Sequence, residues 1–284
     1  ATDYISGVRV TNTNLYTTTD ATIPMPSSSL GWTTGIKFLQ STTGFTDFTL
    51  SQSLTSVGSA AYSATGPSIS PQTYTPSSGS ALFTRANTTY LSTTVTAPST
   101  DSITYEWWFR TTNATGATQG MLQTRTSTSG GDGIDVSAVG GAIVVTTSGT
   151  FLLNATGVLP SINTWYHIAV VRNGTTNFTV YLNGTSIGTF SKTGLTSTEL
   201  YLGEKSANSS AESFDGYITN FRYVKGSAVY TSNFTPSTKP LTAIPGTDLL
   251  LNTVNGAGFL TDSSNFNRTV TNTNSVTSAA LNPF

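Results

Sequence analysis

Cysteine is absent from the 284 residues, histidine occurs once, and only 9% of the chain is charged. The first absence removes disulfides, thiolate metal sites and cysteine catalysis together. A single histidine, His167, makes a transition-metal site of the usual kind improbable. Lys and Arg number 12 against 13 acids, for a net charge of -1. So few cations cannot neutralise many phosphates, which argues against nucleic acid and against polybasic attraction to a membrane. No apolar run approaches the length that spans a bilayer, and the first residues lack the basic-then-apolar pattern of a signal peptide. Helical periodicity is missing as well, because Gly, Asn and Ser interrupt the chain every few residues.

What remains is hydroxyl-rich and β-branched. Ser and Thr make up about a third of the chain, and aromatic residues 11%. That much apolar surface argues against disorder. A low-charge, hydroxyl-rich composition suits an extracellular or virion surface. In "SITYEWWFRTT" (Ser102 to Thr112), Ile103, Tyr105, Trp107 and Phe109 alternate with Thr104, Glu106, Trp108 and Arg110. The first set is a core face, and Trp108 predicts that the second is partly covered, as on a central strand. "GIDVSAV" and "GAIVVTT" flank the turn Gly140-Gly141. Asn173-Gly174 and Asn183-Gly184 punctuate three further strands in "TWYHIAVVRNGTTNFTVYLNGTSIGTF". "ELYLGE" and "FDGYITNFRYV" add two more. Short strands at this spacing predict an all-β fold of two packed antiparallel sheets.

The organisation along the chain is uneven. Residues 51–80 are rich in Ser, Gly and Pro and read as a connector, and residues 227–284 read as a Pro-punctuated extended segment. A repeat stands out: "DYISGVRV" near the start returns as "GYITNFRYV" from Gly216. Each copy is followed by a Tyr-Thr pair, a Pro-punctuated Ser/Thr stretch and a short apolar run.

Residues 81–284 resemble the laminin-G-like, concanavalin-A-like jelly-roll family. The resemblance rests on "ALFTRANTTYLS", "TYEWWFRT", "WYHIAVVRNGTTNFTVYLNG", "LYLGE", "FDGYITNFRYVKGSAVYTSNF" and "DSSNFNRTVTN…NPF". It implies a jelly-roll sandwich. The pattern Arg-x-x-x-Gly-x-x-x-Tyr-Thr from Arg222 looks most like modules of bacteriophage virion proteins, tail-fibre-like or surface. In such modules the Tyr-Ile-x-x-φ-Arg strand (φ being apolar) closes the fold. Residues 1–50 therefore look like the closing part of a module, an extended N-terminal β arm. Its strand residues Tyr4, Ile5, Val8 and Arg9 would pair with this chain's own sandwich or with a neighbour. The resemblance implies no particular ligand.

Catalytic chemistry finds little footing. "GTSIG" (Gly184 to Gly188) matches Gly-x-Ser-x-Gly, but it lies in a hairpin with no following helix, and the single histidine precedes it. His167 reads as a half-buried strand residue satisfied by a neighbour. Glycoside hydrolysis needs two carboxylates across a cleft. Glu106 is the lone acid of its strand, and Glu199, Glu204, Glu212 and Asp215 read as solvated rim charges. Asp132 and Asp135 offer too few local oxygens for calcium's six to eight ligands, so calcium stays open but unsupported and no other cofactor is expected. Carbohydrate binding would use aromatic faces and loop amides, with Trp108, Tyr201 and Asn208 as candidates. Arg9 and Arg222 suit a structural role, pairing carboxylates or capping carbonyls.

These readings converge on a non-enzymatic structural and interaction protein. A virion surface or fibre component, forming a homo-oligomer or joining other structural subunits, is the first expectation. A glycan-binding adhesion module is the alternative, and a cell-surface filament subunit the third.

Overall fold

The computed structural model describes residues 79–113, 116–125, 131–159, 161–204, 211–253 and 258–284, with the backbone of 9–11 and 36–39. Residues 1–74 and 75–284 form two compact units. The first contains β1 (Arg9–Thr11) and β2 (Ile36–Leu39). The second opens with β3 (Ser80–Phe83), β4 (Tyr90–Thr94), β5 (Ile103–Thr111) and β6 (Gln119–Gln123). There follow β7 (Asp135–Val139), β8 (Ala142–Thr147), β9 (Thr150–Ala155), β10 (Tyr166–Asn173) and β11 (Asn177–Leu182). The series closes with β12 (Thr185–Ser191), β13 (Glu199–Leu202), β14 (Gly216–Lys225), β15 (Thr247–Leu251), β16 (Thr271–Thr273) and β17 (Thr277–Ala279).

Two antiparallel sheets make the sandwich. One runs β12-β11-β10-β5-β14-β3-β17, with β15 also on β14; the other runs β16-β4-β13-β6-β7-β8-β9. Alternation decides which residues lie between them. Ile103, Tyr105, Trp107 and Phe109 of β5 are fully buried there. Tyr105 stacks on Tyr223 at 4.7 Å between ring centroids, and Trp107 leans on Phe221 at 5.9 Å. The turn dipeptides behave as their chemistry requires. Gly140 and Gly141 have φ of 53° and 83°, and Asn183 and Gly184 have 49° and 77°, so both hairpins use left-handed positions. Strand β9 carries no strong alternation and went unpredicted. The segment expected to be merely extended, 227–284, supplies β15, β16 and β17, which pair with β14, β4 and β3.

Along one edge of β14, β3 pairs with Gly216–Ile218 and β15 with Phe221–Val224. The change of partner coincides with a register shift between Thr219 and Arg222 against β5. Asn220 makes the bulge, at φ 53°, and its Oδ1 accepts the Leu241 N–H at 2.9 Å.

The sequence repeat has a backbone counterpart. In the second unit Arg222 faces Leu250, Tyr223 faces Leu249 and Val224 faces Thr247, with a shift between Tyr223 and Val224. In the first unit Arg9 faces Leu39, Val10 faces Phe38 and Thr11 faces Ile36, with a shift between Val10 and Thr11. Register and bulge coincide position for position. Tyr4, Ile5 and Val8 lie outside the described residues, as does the proposed connector up to Ser78.

Candidate functional site

The outer face of the β5 sheet, away from the core, is divided into a sealed centre and an open end. Glu106 occupies the centre and is wholly buried. Its Oε1 accepts the Arg222 Nε and Nη2 protons at 2.9 and 2.6 Å. Its Oε2 accepts the Tyr230 hydroxyl at 2.7 Å and lies 3.2 Å from His167 Nε2. Burial alone would raise the carboxyl's pKa, but the His167 contact, the Arg222 charge and the Tyr230 hydroxyl hold it below the ordinary value. Arg222 also donates to the Thr242 carbonyl at 2.7 Å, so it pairs a carboxylate and caps a carbonyl, as expected of it.

Residues 226–246 cross this face as a strap. Tyr230 and Phe234 stack at 3.6 Å, and with Ala228 they pack on Ala169, Val171 and Tyr181. The Phe234 N–H donates to the Gly184 carbonyl, and the Ser186 N–H to Asn233 Oδ1. "GTSIG" is thus the strap's mooring, with no nucleophile elbow. His167 differs from expectation in being fully buried, because the rings of Tyr230 and Phe234 stand edge-on to it. A carboxylate sealed this way cannot exchange protons with a polymer substrate.

At the other end of the same face the sheet is open. Trp165 precedes β10, Arg110 is near the end of β5 and Tyr217 is near the start of β14. Arg110 is the cross-strand partner of Tyr217. The Trp165 and Tyr217 rings approach to 6.4 Å at 55°, and the Arg110 guanidinium lies 5.4 Å from the Tyr217 ring centroid. All three are half-buried. Arg110 Nε donates to the Asn163 carbonyl at 2.9 Å, and among the described residues no carboxylate pairs with this guanidinium. The Asn163 N–H donates in turn to Thr111 O. Around the rim lies a cavity of about 490 Å³, lined by Thr111, Asn113, Gln119, Gly140, Gly141 and Ile162 among others. The Gln119 amide is fixed inside it, accepting from Thr111 Oγ1 at 2.9 Å and donating to Asn113 O at 2.8 Å.

The candidate glycan residues do not converge. Trp108 is on the strap-bearing sheet, edge-on to His167 and Phe284. Tyr201 is on the opposite sheet, tilted against Tyr90 at 6.0 Å. Burial, reinforced by the neighbouring Glu199, pushes the Tyr201 hydroxyl up to about 12. Asn208 lies outside the described residues. Of the supposed rim acids, Glu204 is buried instead, accepting from the Ser213 hydroxyl at 2.9 Å. Asp135 is also buried, held by Arg125 at 2.7 Å and by Thr146, which leaves it a poor cation ligand. Trp165, Arg110, Tyr217 and Tyr230 were missed. The first three could have been found by writing the three strands in register, since they share the parity of Trp108 and His167.

No curated protein matches the chain. Among solved structures, a candidate carbohydrate-binding protein of Bacteroides ovatus is similar at 16% identity and a TM-score of 0.50, over 72% of this chain and 60% of that one. Domains LG4-5 of the mouse laminin alpha1 chain follow at 16% identity and a TM-score of 0.40, over 56% and 47% of the two chains. A pentraxin of Limulus polyphemus gives 14% and 0.37, over 48% and 69%. The chain thus spans three-fifths of the Bacteroides protein's length, and at these identities the likeness is one of fold. A laminin-G-type family model, for the concanavalin A-like lectin/glucanases superfamily, matches residues 85–237, more than half of the chain. The jelly-roll sandwich, its strand order and that match agree, and the chain belongs to the concanavalin A-like lectin/glucanases superfamily.

Proposed function

We propose that this chain is a non-catalytic glycan-binding module whose contact surface is the Trp165–Arg110–Tyr217 end of the β5 sheet. One observation carries the reading: two half-buried aromatic rings 6.4 Å apart share one end of the sheet with a guanidinium that no described carboxylate pairs. Sugar rings present C–H faces that stack on aromatic surfaces and hydroxyls that accept from a guanidinium fork. Membership of a superfamily that includes lectins supports the reading, as does the fold shared with a candidate carbohydrate-binding protein. The sealing of Glu106 supports the absence of catalysis at the sheet centre. The test is a glycan array followed by calorimetry on each hit. Binding that Trp165→Ala and Tyr217→Ala each weaken about tenfold agrees with it; array silence, or hits indifferent to both changes, removes it.

A structural role in assembly is the second reading, favoured by the register that β1–β2 shares with β14–β15. In it residues 1–50 join neighbouring subunits, in an extracellular or virion-surface setting suggested by composition. Solution mass with and without residues 1–50 tests it, and an unchanged oligomer removes it.

A further inference from the structure

The cavity of about 490 Å³ at the rim has no part in the contact surface just proposed, yet it adjoins that surface. Thr111, which lines the cavity, follows Arg110 on β5. Ser161 and Ile162 line it too and lead to Asn163, whose carbonyl accepts from Arg110 Nε at 2.9 Å. The volume falls in the usual range of small-molecule sites, about 300–1,000 Å³. The walls are fastened without a ligand. The Gly141 carbonyl accepts the Leu159 N–H at 3.0 Å. The Tyr166 hydroxyl donates to the Ser161 carbonyl and accepts the Ser161 N–H, each at 3.2 Å.

We propose that this cavity is the specificity pocket of the glycan surface and takes the acetamido group of an N-acetylated hexosamine. This rests on the glycan-binding reading and names its sugar class. Among the described residues no charged side chain lines the cavity, so the carboxylate of a uronic acid would be buried there unpaired. The lining also decides between neutral sugars. Its polar part centres on Gln119, which is 2% exposed. Gln119 Oε1 accepts the Thr111 hydroxyl, and Nε2 gives one proton to the Asn113 carbonyl. A primary amide has two acceptor lone pairs and two protons, so one of each is left for a ligand. The rest of the lining is apolar, formed by Ala138, Val139, Leu159 and Ile162, the last 40% exposed. A plain hexose would set hydroxyls against that apolar lining without partners. An acetamido group instead offers its amide to Gln119 and its methyl to the apolar side chains.

The experiment uses the full 284-residue chain and two matched pairs of sugars, chitotriose with cellotriose and N-acetyllactosamine with lactose. Within each pair the linkage is shared and acetamido groups replace hydroxyls. Calorimetry is expected to show the acetamido-bearing member of at least one pair binding about tenfold more tightly than its partner. Gln119→Met, which removes the amide and nearly keeps the volume, should bring the two affinities together. Ile162→Ser, at an exposed position, should narrow the gap as well and keeps the test decisive if Gln119→Met fails to fold. Equal affinities within both pairs, no binding by any of the four sugars, or a preference indifferent to both changes overturns the proposal. Array hits confined to acetamido-free glycans, and weakened by Trp165→Ala and Tyr217→Ala, would overturn it while leaving the glycan-binding reading intact.

Discussion

Arg222 and Glu106 are 116 residues apart in the chain and meet at 2.6 Å on a face from which solvent is excluded. The pair links β5 to β14, its neighbour in the sheet. With Tyr230 it also fastens the strap. Desolvating two charges is costly, and such a pair holds only when every partner is present. Here the fork, the hydroxyl and the imidazole together meet that condition.

Glu106→Ala is expected to destabilise the second unit by about 3–5 kcal/mol, because the Arg222 guanidinium is left buried and unpaired. The Glu106→Met, Arg222→Met double variant should lose less than Glu106→Ala alone. Equilibrium denaturation of the parent, Glu106→Ala, the two single methionine variants and the double variant measures this. A double variant that loses the sum of the two single effects would contradict the coupling.

Acid should loosen the same pair. The folded Glu106 carboxyl lies below its ordinary value of 4.5. Its contribution to stability is therefore complete above that ordinary value and disappears as pH falls through the lower folded value. Denaturation midpoints followed from pH 6 to about pH 2.5 should fall more steeply in the parent than in Glu106→Gln. Equal slopes would show that other carboxylates carry the acid response.

Gly184 holds the strap by its backbone. Its φ is 77°, and a Cβ there would stand 1.8 Å from the Phe234 carbonyl oxygen. Gly184→Ala should cost about 1–3 kcal/mol and expose residues 226–246 to protease. An unchanged digestion pattern would mean that the strap is held elsewhere.

At the open end the expectation is reversed. Trp165→Ala and Tyr217→Ala should each lower glycan affinity about tenfold, near 1.4 kcal/mol, with little change in Tm since both rings are only half-buried. Calorimetry on an array hit decides it. A large Tm loss would show a packing role instead.

Local chemistry in the sequence was enough to determine the alternating strands, the hairpin turns and the sheet-on-sheet class, but not β9 or β15–β17. Alternation in Ile103–Phe109 and the Asn183-Gly184 turn act over a few residues, where backbone sterics and period-two burial operate. The repeat around Arg9 and Arg222 was also legible, and so was a structural role for Arg222. What acts across the fold was not. Whether Glu106 is a solvated acid or a sealed hub depends on a strap more than a hundred residues downstream. Trp108 was a candidate from its aromatic face alone; the fold sets it edge-on to His167 and Phe284 and brings Trp165, Arg110 and Tyr217, equally half-buried, together at the end of the sheet. Propensity is a property of neighbours in the chain, whereas desolvation is set by whichever distant segment arrives to exclude water.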